Sequence, residues 1–247
     1  MSHLPTIDIE NAAWKTLYRV GAIAPLVALA FYFFQMIVII MTTAISGTPY
    51  PATIVDWYTL FHRNILLGLI YINALDIFSI AFLGTMFLAL YIALKRYNPS
   101  VIVIAAFFAF LGIAVFVASR TEMVSAILSL SEQYAAATTE VQRSQLLAAG
   151  QATNAPIRAT TETAGFLFIA VAGSLISTVI LRSSTFHKTT AYVGIAAGLF
   201  TFTNDICLVL APPLAAALMP VNSLLWLVWW GMISAGLFKL AHNIHDS

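Results

Sequence analysis

Apolar residues run along this chain in long blocks, with polar positions gathered between the blocks instead of alternating with them. Six blocks stand out, near residues 20–45, 65–94, 101–119, 163–181, 190–210 and 222–240. A helix of about 20 apolar residues crosses the hydrocarbon of a bilayer, so each block reads as one span. Residues 211–219, "APPLAAALM", are apolar too, but Pro212 and Pro213 interrupt them, and a re-entrant or capping loop is expected there. Three stretches are patterned differently. Residues 7–19, "IDIENAAWKTLYR", place apolar and charged positions at helical spacing, as an interfacial helix does, so an N-terminal interfacial helix is expected over 1–19. Residues 52–63 read as a second interfacial helix, with Ile54, Val55, Tyr58 and Phe61 on one face and Asp56, Thr59 and Arg63 on the other. The long connection 120–162 is expected to form a helical hairpin cap. Its first arm continues the third span, and its second opens on a Thr139/Gln142 capping box and stops at Gly150.

Composition decides the environment. Of the 247 residues, 61% are hydrophobic and 9% are charged, with a mean hydropathy of +0.92. Soluble domains carry about 25% charged residues. The chain is therefore expected to be an all-α, polytopic integral membrane helical bundle forming a single transmembrane domain over 1–247. The first block is too long for a cleavable signal core of about 7–15 residues, so it is expected to stay as a signal anchor. A net charge of +1 without a basic run argues against nucleic acid and shows no anionic-lipid clamp. A lone cysteine, Cys207, excludes an internal disulfide or a Cys-based zinc site.

Charge placement orients the spans. Lys15, Arg19, Lys95, Arg96, Arg182, Lys188 and Lys239 fall on the side of the termini, against Arg63, Arg120, Arg143 and Arg158 on the other. Both termini are therefore predicted to be cytoplasmic, in the cell membrane, with the 120–162 cap outside.

Polar residues inside the blocks carry the candidate chemistry. Asp76 lies about eleven residues into the second span, and Asn73 sits one turn earlier. Asn204 and Asp205 lie in the fifth span and Gln35 near the middle of the first. Arg120 and Glu122 close the third span, and Glu162 opens the fourth. An intramembrane carboxylate is costly and needs partners, water or a proton. Such residues either hydrogen-bond helix to helix as packing, or line a cavity that takes a cation, a proton or a polar ligand. No histidine lies inside a span, and "HNIH" at 242–245 is a tail pair, so no metal site and no catalytic residue is assigned. Trp226, Trp229 and Trp230 read as an interfacial aromatic belt.

Four stretches resemble, in order, a prokaryotic multi-span family catalogued as domain of unknown function 4386. They are "NALDIFSIAFLGTMFLALYIAL" at 73–94, "LSLSEQYAAATTEVQRSQLLAAGQAT" at 128–153, "RSSTFHKTTAYVGIAAGLF" at 182–200 and "LLWLVWWGMISAGLFKLA" at 224–241. The resemblance implies a prokaryotic multi-pass membrane protein with an acidic residue at the position of Asp76. Arg120 and Asp205 depart from its pattern, and it brings no activity and no cofactor.

The function expected is non-enzymatic: an accessory or lipid- or small-ligand-binding subunit with a polar outer cavity formed by Asp76, Asn73, Arg120 and Asp205. A small transporter or channel coupling cations or protons through the aspartates is the alternative, and a lipid-modifying hydrolase comes last. Membrane lipids are the expected partners, with a homo-oligomer or a larger membrane complex left open.

Overall fold

The computed structural model describes residues 6–47, 50–154 and 163–243. All regular structure among them is helical: α1 Thr6–Ser46, α2 Ile54–Arg63, α3 Ile65–Tyr71, α4 Asp76–Leu94, α5 Pro99–Ala136, α6 Glu140–Asn154, α7 Thr163–Ile180, α8 Lys188–Leu210 and α9 Pro212–Asn243. Six helices are long and apolar enough to cross a membrane: α1, α4, α5, α7, α8 and α9. The chain is a multi-span membrane protein.

Several boundaries differ from the expected ones. The helix expected over 1–19 and the first span run on as one helix from Thr6, with no break near Gly21. Gly21 instead lets α1 approach α4, because a Cβ there would meet Ala89 Cβ at 2.5 Å. Residues 211–219 are not a loop. Only Ala211 separates α8 from α9, and Pro212 opens α9, a position where the missing N–H costs nothing. The span expected over 65–94 is shorter: α3 ends at Tyr71, and the membrane-length helix α4 begins at Asp76, which opens that helix instead of lying about eleven residues into it.

The residues group into two compact units, described separately. One comprises Met1–Leu29, Ala81–Ile113 and Phe166–Ser247. Its core includes a seam of small residues among α7, α8 and α9. Gly194 and Gly198 share a face of α8 with Ala191 and Thr201, all buried. The space a Cβ would take at Gly198 is filled by the Ser174 hydroxyl, and at Gly194 by Ser177 and the Trp229 indole. Small residues at this spacing bring membrane helices into close contact. Trp229 is fully buried here and Trp226 donates its indole N–H to Thr201 Oγ1 at 2.9 Å. These two tryptophans thus pack helix on helix instead of forming the expected belt.

In the same unit, the loop after α4 is tied to the loop before α8. The Tyr97 hydroxyl lies 3.1 Å from both Ser184 Oγ and Thr185 Oγ1, and it accepts a hydrogen bond from the Arg96 guanidinium at 3.1 Å. Burial alone would raise the Tyr97 pKa. Hydrogen bonds from Ser184, Thr185 and Arg96, with the Arg96 charge, outweigh it and hold the phenol at about 8.

The other unit comprises Ala30–Ile80 and Ala114–Gly165. Its core joins Ile54, Trp57, Tyr58, Leu60 and Phe61 of α2 to Tyr71 and Ile72 and to Met123 and Ile127 of α5. Helix α2 is therefore covered by protein, and its buried face includes Trp57 while Val55 is exposed, a correction to the expected interfacial face. Thr53 and Asp56 close a capping box at its start, and the Thr53 hydrogen bonds hold the exposed Asp56 carboxyl below its usual range.

Helix α5 continues well past the third apolar block, and α6 returns to pack on α2. The Thr139/Gln142 capping box forms as expected, with Gln142 N–H on Thr139 Oγ1 at 3.2 Å. Gly150 does not stop α6, which runs on to Asn154. It is a contact glycine: a Cβ would collide with the Tyr58 hydroxyl, which donates to Leu146 O at 2.8 Å. Residues 155–162, including Glu162, lie outside the described residues, as do His3 and His245.

Candidate functional site

The break between α3 and α4 organises the site. Tyr71 ends α3, Ile72 follows, and Asn73 adopts a left-handed conformation with φ of 57°. Asn73 N–H then donates to Ile70 O at 3.0 Å, and Ala74 N–H to Leu69 O at 2.9 Å. That pair of bonds is a Schellman closure, with asparagine in the position glycine usually takes. The chain restarts as a helix at Asp76, whose N–H donates to Asn73 O at 3.1 Å. Asn73 thus acts through its backbone conformation, and it does not share a helical face with Asp76 as expected.

A helix end buried in the protein leaves carbonyls that need other donors. Two side chains meet that need. Arg120, on α5 and only 4% exposed, donates from its guanidinium to Ile72 O at 2.7 Å. Tyr50 donates to Tyr71 O at 3.3 Å and stacks on the Tyr71 ring, centroids 5.6 Å apart. The Arg120 guanidinium also lies 5.3 Å from the Phe116 ring centroid.

Gln35 completes the cluster from α1. It is 2% exposed, and its amide N–H donates to Asp76 Oδ1 at 2.9 Å. Gln35 Oε1 and the Tyr71 hydroxyl are buried without a hydrogen-bond partner among the described residues. A buried carboxylate bonded to an amide whose own oxygen has no donor among the described residues is acceptor-rich, suited to a cation or to a group bearing N–H or O–H donors.

The remaining sequence candidates fall elsewhere. Glu122 is exposed on α5, away from the buried Arg120 face. Asn204 and Asp205 belong to the other unit, on α8, where Asn204 Oδ1 and Asp205 Oδ2 are buried without a partner among the described residues. Tyr50, Tyr71 and the Ile72 carbonyl were not singled out in the sequence. The juxtaposed "YIN" and "ALD" is the one local hint, since asparagine tolerates the left-handed region better than most residues.

The family described as domain of unknown function DUF4386 matches residues 32–233. The chain belongs to this DUF4386 family. That match spans both the Gln35–Asp76 pair and the Asn204–Asp205 pair. No curated protein and no solved structure matches the chain.

Proposed function

We propose that this DUF4386 protein is a non-enzymatic small-ligand-binding membrane protein. Its ligand, a cation or a small solute carrying hydrogen-bond donors, is held by Asp76 and Gln35 at the start of α4. The observation that carries this reading is the buried Gln35–Asp76 pair, whose amide oxygen is left without a donor. A buried acceptor without a donor costs about 1–3 kcal/mol, and a ligand that supplies one recovers that cost. The lysine and arginine distribution supports cytoplasmic termini in the cell membrane, with the α5–α6 hairpin outside.

A second reading, a transporter coupling cations or protons through Asp76, is favoured by the break itself. Transporters build their sites from discontinuous helices whose ends face the bound ion.

Native mass spectrometry of the detergent-extracted protein tests the reading. The wild type is expected to retain a small non-lipid adduct that a folded Gln35→Leu protein loses. Retention of lipid and detergent alone by both proteins would count against it.

A further inference from the structure

We propose that the groove between the start of α1 and the end of α9 binds the phosphate of an anionic phospholipid, a site separate from the Asp76 cluster. Arg19 and Ile23 of α1 and Phe238, Lys239 and His242 of α9 line this groove, which encloses about 570 Å³.

The two helices run antiparallel, because Ser234 donates to Ala22 O at 2.6 Å while the last turns of α9 flank Arg19. Arg19 and Lys239 lie toward the helix ends, with Ile23 one turn, about 6 Å, further into its span than Arg19, and Phe238 beside Lys239. Ile23 is 42% exposed and Phe238 39% exposed, so apolar surface stands open below Arg19 and beside Lys239.

No carboxylate is among the described residues lining the groove, and among the described residues neither Arg19 nor Lys239 has an acidic partner. Two cations without an acidic partner among the described residues, next to open apolar surface, match a lipid phosphate with its acyl chains. Long cationic side chains at helix ends reach the headgroup layer, and an anionic headgroup gains from each. The chain has no basic run because folding assembles the site from its two ends.

The test uses the full chain in detergent, with native mass spectrometry reading retention of added phosphatidylglycerol against phosphatidylcholine of the same acyl chains. The wild type is expected to retain phosphatidylglycerol preferentially. Arg19→Gln and Lys239→Gln should each weaken retention roughly fivefold, and roughly tenfold or more together. Arg182→Gln, an exposed arginine outside the groove, should leave retention unchanged. Should the double variant not purify, the two single variants carry the same comparison. Equal loss from Arg182→Gln would overturn the proposal, as would equal retention of the two lipids. Displacement of the lipid by millimolar inorganic phosphate would also overturn it, since the site would then recognise a free anion.

Discussion

Replacing Arg120 with methionine removes the guanidinium from the break while keeping much of the stem's volume. The structure sets the cost. Ile72 O loses a charge-assisted donor at 2.7 Å in a place where Ile72 itself is 2% exposed. Hydrogen bonds to charged groups contribute about 1.5–3 kcal/mol, and the guanidinium contact with Phe116 adds roughly 0.5–1 kcal/mol. The sum is roughly 2–4 kcal/mol. For a chain of this length it corresponds to a fall in Tm of roughly 5–15 °C, read by tryptophan fluorescence on heating in detergent. Tyr50→Phe deletes the longer, neutral bond to Tyr71 O and should cost less than about 1 kcal/mol. An Arg120→Met protein melting within about 1 °C of wild type would refute the claim that this side chain closes the helix break.

Other outcomes follow from the same packing. Gly150→Ala should destabilise by about 1–3 kcal/mol, because its Cβ collides with Tyr58, whereas Tyr58→Phe should cost about 1 kcal/mol; both are read as thermal shifts. Ultraviolet titration should show one tyrosinate forming near pH 8 that Tyr97→Phe abolishes. Its folded pKa lies below the ordinary tyrosine value of 10.0, so this group adds stability as pH rises from about 8 towards 10 and loses it on the way back down. In a Cys207→Ser background, a cysteine at position 139 should react with a membrane-impermeant maleimide in intact cells. Labelling at position 15 instead would invert the proposed orientation.

Hydropathy made most of the spans legible because it reports length and apolarity, which decide whether a helix can cross. It passes over the break at 72–75, since one asparagine in a left-handed conformation interrupts the backbone without interrupting the apolar composition. Pro212 reads as a breaker for a related reason: at the first turn of a helix proline lacks only an N–H that would have no intrahelical partner, so it starts α9 instead of ending α8 in a loop. Gly150 marked no helix end because its missing side chain was spent on contact with Tyr58, a residue 92 positions away in sequence by their numbers. In the site, Asp76 and Gln35 were legible as costly polar groups within apolar blocks, and they do meet. The partner of Arg120 could not be read, because it is a backbone carbonyl freed only by the break. Helix α2 looked interfacial because amphipathicity is the same whether lipid or protein covers the apolar face.

The central claim is that the Asp76 carboxylate, oriented by Gln35, holds a cation or donor-bearing ligand. Thermal unfolding of purified wild type and Asp76→Asn, titrated with ammonium, sodium and potassium chloride at constant ionic strength, tests it most directly. Ligand that binds only the folded state stabilises it by about 2.7 kcal/mol at a hundredfold excess over Kd. The account predicts a saturable rise in wild-type Tm with at least one of these cations, absent from Asp76→Asn, whose amide keeps a hydrogen bond to Gln35 and a near-normal starting Tm. An identical cation-dependent rise in Asp76→Asn, or none in the wild type, would contradict it.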